Sequence, residues 1–186
     1  MTFWWFTQVS AQSTGANLGH RVKGMADLRE TAASRMAARY TQLGGAVREL
    51  AAPLSDEQFW CKPFSFGNSF GHLVLHLTGN LNYYIGAQIA GTGYVRDRPR
   101  EFAEGTRPSK ESVLKAFDDA VAMVVRTIRS QSAEEWSAQY SAAGVDARDR
   151  FEIALQCATH LHHHIGQMMY LGFELKRGKN RGHEER

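Results

Sequence analysis

Apolar side chains recur every three or four residues in four long stretches of the chain, which is the spacing of amphipathic helices. These stretches cover about residues 25–52, 68–90, 109–131 and 146–175. The first contains no proline and is rich in Ala, Leu, Arg and Glu, which favour helix formation. Alternating patterns typical of strands are scarce. The sequence therefore predicts an all-α protein with four long helices.

Short polar segments separate the predicted helices. Ser55 with Gln58, and Ser132 with Glu135, each have the spacing of a capping box, which predicts a short helix after each serine. The longest connection covers residues 91–108 and mixes glycine and proline with charged residues. A loop of this length in a compact domain is usually functional or disordered. Four amphipathic helices with one long loop between the second and third predict a four-helix bundle, a fold that places metal and ligand sites between facing helices.

The two ends of the chain do not follow the helical pattern. Residues 1–24 contain an aromatic cluster but lack the basic start and the apolar length of a signal peptide. We expect an N-terminal extension of uncertain order, with Trp4 and Trp5 available to pack on the domain or on a partner. Residues 177–186 are predicted to be a charged tail, which leaves a single domain over residues 25–176.

Charge and cysteine content narrow the possible functions. The formal net charge of +3 arises largely near the C-terminus, and basic and acidic residues are interspersed elsewhere, so nucleic-acid binding is not expected. No apolar stretch is long enough for a membrane span. Cys61 and Cys157 lie far apart in apolar segments, as expected for two reduced thiols rather than a disulfide. We therefore expect a cytoplasmic protein without nucleic-acid or membrane partners.

Four of the eight histidines fall within residues 160–164, in the last predicted helix. His160 and His164 share a face, because residues four apart lie one turn above each other. His163 falls on the polar arc that faces solvent, and His162 lies near the opposite margin, far from His164. Two imidazoles at this spacing can bind one metal ion, but the spacing also arises by chance.

The second predicted helix carries a polar stripe of its own. His72, His76, Asn80 and Tyr83 lie along one face, and the broad opposite face is apolar. The stripe either lines a cleft or is simply the solvent face of an amphipathic helix. These residues alone leave both possibilities open.

Taken together, the two histidine-containing segments resemble the DinB-like, or YfiT-like, superfamily of metal-binding four-helix bundles. The resemblance is carried by the segment HLTGN in the second helix and by HLHHHIGQ in the fourth. It extends over residues 25–175 and includes the loop segment VRDRPREF. It implies a three-histidine metal site with His76, His160 and His164 as ligands. The chain differs from the family pattern in having Ile165 where arginine is frequent, and His72 leaves the ligand of the second helix open by one turn.

The implied ligand set suggests a catalytic site. Three imidazoles leave at least one coordination position open, unlike a closed structural site. We expect a divalent metal, Zn²⁺ first and Ni²⁺ second, because imidazole suits both. The resemblance implies a metal-dependent transferase that activates a low-molecular-weight thiol, such as bacillithiol, mycothiol or glutathione, for attack on an electrophile. The alternatives are a metal-dependent hydrolase that uses bound water and a non-catalytic dimeric metal-binding or stress protein.

Other residues are candidates for supporting roles around the metal. The outer nitrogen of a histidine ligand needs a hydrogen-bond partner. The candidates for such partners or for pocket positions are His72, Asn80, Tyr83, Asp118 and Gln167.

The long loop and the last helix add three further expectations. Arginines of the loop can contact carboxylates of the thiol or of the acceptor, or can form surface ion pairs with Asp97, Glu101 and Glu104. Cys157, one turn before His160, is expected to be a buried, inert thiol. A homodimer is expected because the last helix is apolar over more than half of its circumference. The loop arginines concerned are Arg96, Arg98 and Arg100.

Overall fold

The computed structural model describes the backbone of residues 14–103 and 107–184, and the side chains of residues 28–103 and 107–177. Within these ranges the chain is helical, without strands, which confirms the predicted all-α class. The elements in chain order are α1 (Thr14–Ala51), α2 (Asp56–Trp60), α3 (Phe70–Leu81), a π-helical segment (Asn82–Ala87), a 3₁₀ turn (Pro99–Phe102), α4 (Lys110–Ser130), α5 (Ala133–Trp136) and α6 (Arg150–Glu184).

The four long helices pack around one apolar core. Helix α1 packs against α4 and α6, and α3 packs against the same two helices, so each helix has two neighbours in a four-helix bundle. Large side chains from all four helices are almost fully buried, among them Tyr40, Leu77, Phe117 and Leu161. The Tyr40 hydroxyl donates to the carbonyl of Ala154 at 2.7 Å, which joins α1 to α6 inside the core.

Local sequence signals set the starts of the shorter helices. Both capping boxes are formed: the hydroxyls of Ser55 and Ser132 accept from the backbone amides of Gln58 and Glu135, whose side chains accept in return from the serine amides. Ser69 caps α3 in a similar way, by accepting from the amide of His72.

The outer helices extend beyond the predicted bounds. Helix α1 begins at Thr14, and α6 runs to Glu184, although we expected a separate segment before residue 25 and a tail after residue 176. Once a helix is nucleated, each added residue contributes another hydrogen bond, so polar residues at the ends can continue it. Residues 1–13, which include Trp4 and Trp5, lie outside the described part of the chain.

The second predicted helix changes its hydrogen-bond register partway along. After Leu81 the α-helix continues as π-helix through Ala87, and the amide of Gln88 then donates to the carbonyl of Tyr83. A wider turn of this kind is frequent at functional sites. The carbonyl of Tyr84 accepts a hydrogen bond from the buried Tyr140 hydroxyl at 2.9 Å. This segment positions Tyr83 and Tyr84 beside the cavity described below.

Among the described residues, no helix combines the length and apolarity that a membrane span requires.

Candidate metal centre

Three imidazoles from two helices converge in the bundle. His76 comes from α3, and His160 and His164 come from successive turns of α6. One ring nitrogen of each lies within 4.8 Å of the others, so the three residues form a cluster that could hold a metal ion. The Nε2 atoms of His76 and His160 are 3.0 Å apart, and the Nε2 atom of His164 is buried without a hydrogen-bond partner.

Outer hydrogen bonds fix which ring nitrogen carries the proton in His76 and in His164. His76 donates from Nδ1 to the Glu101 carboxylate at 2.8 Å, and His164 donates from Nδ1 to the Gln167 side-chain oxygen at 2.7 Å. In a neutral imidazole, a proton on Nδ1 leaves Nε2 as a bare lone pair. Both Nε2 atoms therefore point into the cluster as acceptors, which is the form in which histidine binds a metal.

Burial keeps His160 and His164 uncharged at neutral pH. Burial, together with the neighbouring His164 and His76, lowers the pKa of His160 to about 4. Burial also lowers the pKa of His164, although the hydrogen bond to Gln167 partly offsets this effect. The residues present thus fit a divalent cation, because neutral imidazoles with enclosed lone pairs gain a partner when a cation binds.

A buried ion pair between Arg96 and Glu101 orients His76, the ligand candidate on α3. Arg96 donates to both carboxylate oxygens of Glu101, from Nε at 2.7 Å and from Nη2 at 2.9 Å, and Glu101 accepts from His76. Burial alone would raise the pKa of Glu101, but the hydrogen bonds from His76 and Arg96 outweigh it and lower the pKa below its ordinary value. The carboxylate is therefore charged, and it stabilises the Nδ1–H form of His76.

The Arg96–Glu101 pair corrects one of our expectations. We considered Glu101 only as a surface partner of the loop arginines, yet the side chains of Arg96 and Glu101 are 10% and 7% exposed. The pair is buried because the 3₁₀ turn brings Glu101 down onto α3, where the residue at position 79 is glycine and leaves room for the carboxylate. No periodicity links residues 76 and 101, so only the loop segment VRDRPREF pointed to this region.

Two of the predicted supporting residues lie away from the imidazoles. The Nδ1 atom of His72 is 2.9 Å from the Ser69 hydroxyl, and its ring packs on Trp60, one helical turn before the cluster. Asp118 on α4 instead accepts from Arg48 of α1, with the Arg48 Nε at 2.8 Å. Of the two histidines of the second predicted helix, His76 is thus the one that lies in the cluster, and Asp118 has a cationic partner of its own.

The other two histidines of residues 160–164 lie outside the three-imidazole cluster. His162 and His163 are both exposed, in agreement with the predicted solvent position of His163. The Nε2 of His163 lies 3.2 Å from the Gln167 side-chain nitrogen, so His163 accepts a hydrogen bond from the amide that also orients His164.

A cavity of about 920 Å³ opens beside His76 and His160. Asn80 and Tyr83, both predicted as pocket candidates, line it, and the Oδ1 of Asn80 is buried without a hydrogen-bond partner. The wall also includes Ile153 and Cys157. Burial raises the pKa of the Cys157 thiol to about 12, so it stays protonated at neutral pH, as expected for an inert cysteine.

The three loop arginines occupy different environments. Arg96 and Arg98 line the cavity, whereas Arg100 lines a separate pocket with Leu75 and Tyr94. Arg96 is paired with Glu101, and the Arg98 guanidinium lies over the Phe102 ring, 5.9 Å from its centroid. Glu104, the other acidic residue considered as a surface partner, lies outside the described residues.

The fold and the cluster together define a helical bundle with a three-histidine centre beside an open cavity. A family model of the DinB superfamily matches residues 39–168, more than half of the chain. The protein therefore belongs to the DinB superfamily, which confirms the resemblance seen in the sequence.

The crystal structure of a conserved protein from Enterococcus faecalis has a similar fold, with a TM-score of 0.63 and 15% sequence identity. The match covers 76% of this chain and 95% of that one. At this level of identity, the likeness concerns the fold alone. No curated protein matches the chain.

Proposed function

We propose that this protein is a metal-dependent transferase that activates a low-molecular-weight thiol for attack on an electrophile. The observation that carries the proposal is the set of three imidazoles, two of which have Nε2 fixed as an acceptor, beside an open cavity that His76 and His160 line. A divalent ion held by His76, His160 and His164 would supply a Lewis acid that stabilises a thiolate at neutral pH. We propose Zn²⁺ as the first choice and Ni²⁺ as the second, because the donor set is entirely imidazole.

The side chains around the cavity favour a nucleophile that arrives with the substrate. Cys157 is the only thiol among the described residues that line the cavity, and its pKa of about 12 leaves it protonated. A transferred thiol would form a sulfur–carbon bond with the electrophile, while the leaving group departs with its electron pair and the thiol proton passes to solvent. The chain contributes by holding the ligands: Glu101 orients His76, and Gln167 orients His164.

Thiol chemistry of this kind also suggests where the protein acts. Low-molecular-weight thiols are kept reduced in the cytosol, and both Cys61 and Cys157 are free. We therefore propose a cytoplasmic location.

A thiol screen tests the proposed function. Bacillithiol, mycothiol and glutathione would each be offered with a chloroaromatic acceptor to untagged protein, before and after treatment with a chelator. We expect adduct formation with at least one thiol, loss of activity on chelation, and recovery with Zn²⁺ or Ni²⁺. Metal-dependent cleavage of ester or amide substrates without any thiol would instead indicate a hydrolase, and failure of every thiol with metal-loaded protein would contradict the transferase.

A further inference from the structure

We infer that the cavity binds an acid group of its ligand at Arg98, so that the thiol or the electrophile it accepts is an organic carboxylate. That the ligand is either the thiol or the electrophile that accepts it rests on the proposed function. The acid-binding position is a property of the cavity itself and can be tested separately.

The charged side chains that line the cavity are both arginines. Arg96, Arg98, His76, His160 and His163 line it, and no aspartate or glutamate is among the described lining residues. Apolar residues such as Val145 and Ile153 form other parts of the wall. A concave surface with charge of one sign and low-dielectric walls attracts ligands of the opposite sign.

The two arginines of the cavity differ in how their charge is balanced. Arg96 makes a two-pronged hydrogen bond to the buried Glu101 carboxylate, and its guanidinium also lies over the Tyr84 ring, 5.6 Å from the centroid. Arg98 has no ion pair within the described ranges, and its side chain is exposed. Its neighbour Asp97 lines the other pocket. Among the described residues, Arg98 is therefore the cavity cation whose donors are not engaged in an ion pair, and its planar guanidinium can donate two hydrogen bonds to one carboxylate.

Ring contacts place Arg98 close to the imidazole cluster. The Arg98 guanidinium lies over Phe102, and the Phe102 ring lies 5.0 Å from the His76 ring, measured between centroids. One aromatic ring thus separates the available cation from a metal-ligand candidate. A small ligand can span this distance, with its acid group at Arg98 and its reacting atom at the cluster.

A matched pair of probes and variants tests the inference. Mercaptosuccinate and its uncharged diamide would be titrated calorimetrically into full-length protein, both metal-loaded and chelator-treated. We expect wild type to bind the dicarboxylate about tenfold more tightly than the diamide, since charge-assisted hydrogen bonds commonly contribute this much. Arg98→Gln should remove the preference. Arg100→Gln, an equally exposed position of the same loop that faces the other pocket, should keep it.

Three results would overturn the inference. The first is equal affinity of wild type for the dicarboxylate and the diamide. The second is a loss of preference in Arg100→Gln as large as that in Arg98→Gln. The third is loss of the preference on chelation, which would place the carboxylate on the metal. The proposed function fails independently of this site. If the preference for the dicarboxylate survives chelation but the protein turns over no thiol, the Arg98 position is supported and the transferase is contradicted. If the protein turns over a thiol but shows no such preference, the transferase is supported and the Arg98 position is contradicted.

Discussion

At the level of single residues, the centre depends on a carboxylate that comes from a loop. Glu101 lies between His76 and Arg96 and is buried with both. The charge of Glu101 favours the His76 tautomer in which Nε2 faces the cluster. Metal affinity should therefore depend on a residue that is not itself a ligand.

We predict that Glu101→Gln lowers metal affinity by about ten- to one hundredfold, the usual effect of removing the partner of a histidine ligand. The amide can still accept from His76 but lacks the negative charge that holds Arg96. Competition with a chromophoric chelator measures the affinity. Glu111→Gln serves as the control, because this exposed carboxylate pairs with Arg48 on another part of the bundle. Equal affinities for the two variants would contradict the role assigned to Glu101.

The two cysteines should differ sharply in reactivity. Cys61 is exposed, whereas Cys157 is buried and its pKa is raised to about 12, so little of it is thiolate at neutral pH. We expect iodoacetamide to label Cys61 in the native protein and Cys157 only after denaturation, as followed by mass spectrometry. Labelling of native Cys157 at a similar rate would mean that the cavity holds a protein nucleophile after all.

Regular helix geometry predicts only part of the centre, and His76 comes instead from the resemblance of its segment to the family pattern. The four-residue spacing of His160 and His164 is sufficient to place both on one face, and the helical wheel correctly leaves His163 exposed. Glu101 is separated from His76 by a loop, so no spacing rule links the two. Asp118 was a reasonable candidate by composition, but Arg48 of α1 pairs with it instead.

At the level of elements, the long loop reaches the centre because α3 has a glycine where the two meet. A Cβ atom at Gly79 would collide with the carboxylate of Glu101 and would lie 3.5 Å from the Arg96 Nε. The close approach of loop to helix therefore requires this glycine.

We predict that Gly79→Ala displaces the 3₁₀ turn and weakens metal binding, although alanine favours helix formation over glycine by up to about 1 kcal/mol. Gly166→Ala on α6 is the matched control, because nothing lies within 4 Å of a Cβ added there. That variant should bind metal normally and be slightly more stable. The same chelator competition, together with urea unfolding, measures both effects. Unchanged affinity in Gly79→Ala would show that the loop contact does not support His76.

Helix α6 exposes apolar side chains that no other described element covers. Leu155, Met169 and Phe173 are 51%, 44% and 59% exposed. We propose that this face forms a homodimer interface, and we expect light scattering to give twice the chain mass of 20.8 kDa. Leu155→Lys together with Phe173→Lys should yield monomers. A wild-type mass of one chain across the accessible concentration range would contradict the dimer.

The observed helix bounds show which local sequence signals are sufficient to predict where a helix begins and ends. Capping boxes and apolar periodicity predict α2, α4 and α5 closely, since both act within a few residues. The π-helical register of Asn82–Ala87 has no such signal, because the same residues would also fit an α-helix. The π-helical segment is instead accompanied by contacts with residues outside the helix, such as the hydrogen bond from the Tyr140 hydroxyl to the Tyr84 carbonyl.

For the whole molecule, the clustered histidines make the metal-free protein sensitive to acid. The folded state holds the pKa of His160 at about 4, below its ordinary value of 6.5, so between these values the unfolded chain binds a proton that the folded chain does not. Stability therefore falls as pH decreases through this window. The depressed pKa of Glu101 acts in the same direction at lower pH.

We predict that chelator-treated protein unfolds at lower urea concentration at about pH 5 than at about pH 7. The His160→Ala variant should show a smaller difference, since it lacks the titrating group. The urea midpoint followed by circular dichroism measures both. An equal or larger pH effect in His160→Ala would show that other groups dominate the acid sensitivity.

The bundle itself follows from the sequence because four amphipathic stripes can bury their apolar faces only against one another. Amphipathic patterns alone do not predict the metal centre, because its six principal side chains come from two helices and a loop that are distant in sequence. These side chains are His76, Arg96, Glu101, His160, His164 and Gln167.

The central claim is that His76, His160 and His164 hold one metal ion, and metal content tests it most directly. Untagged protein supplied with Zn²⁺ or Ni²⁺ should retain about one divalent ion per chain after gel filtration. His160→Ala and His164→Ala should each lose it, whereas His162→Ala, an exposed position on the same helix, should retain it. Metal content that survives both changes at His160 and His164, or its absence from wild type, would contradict the account.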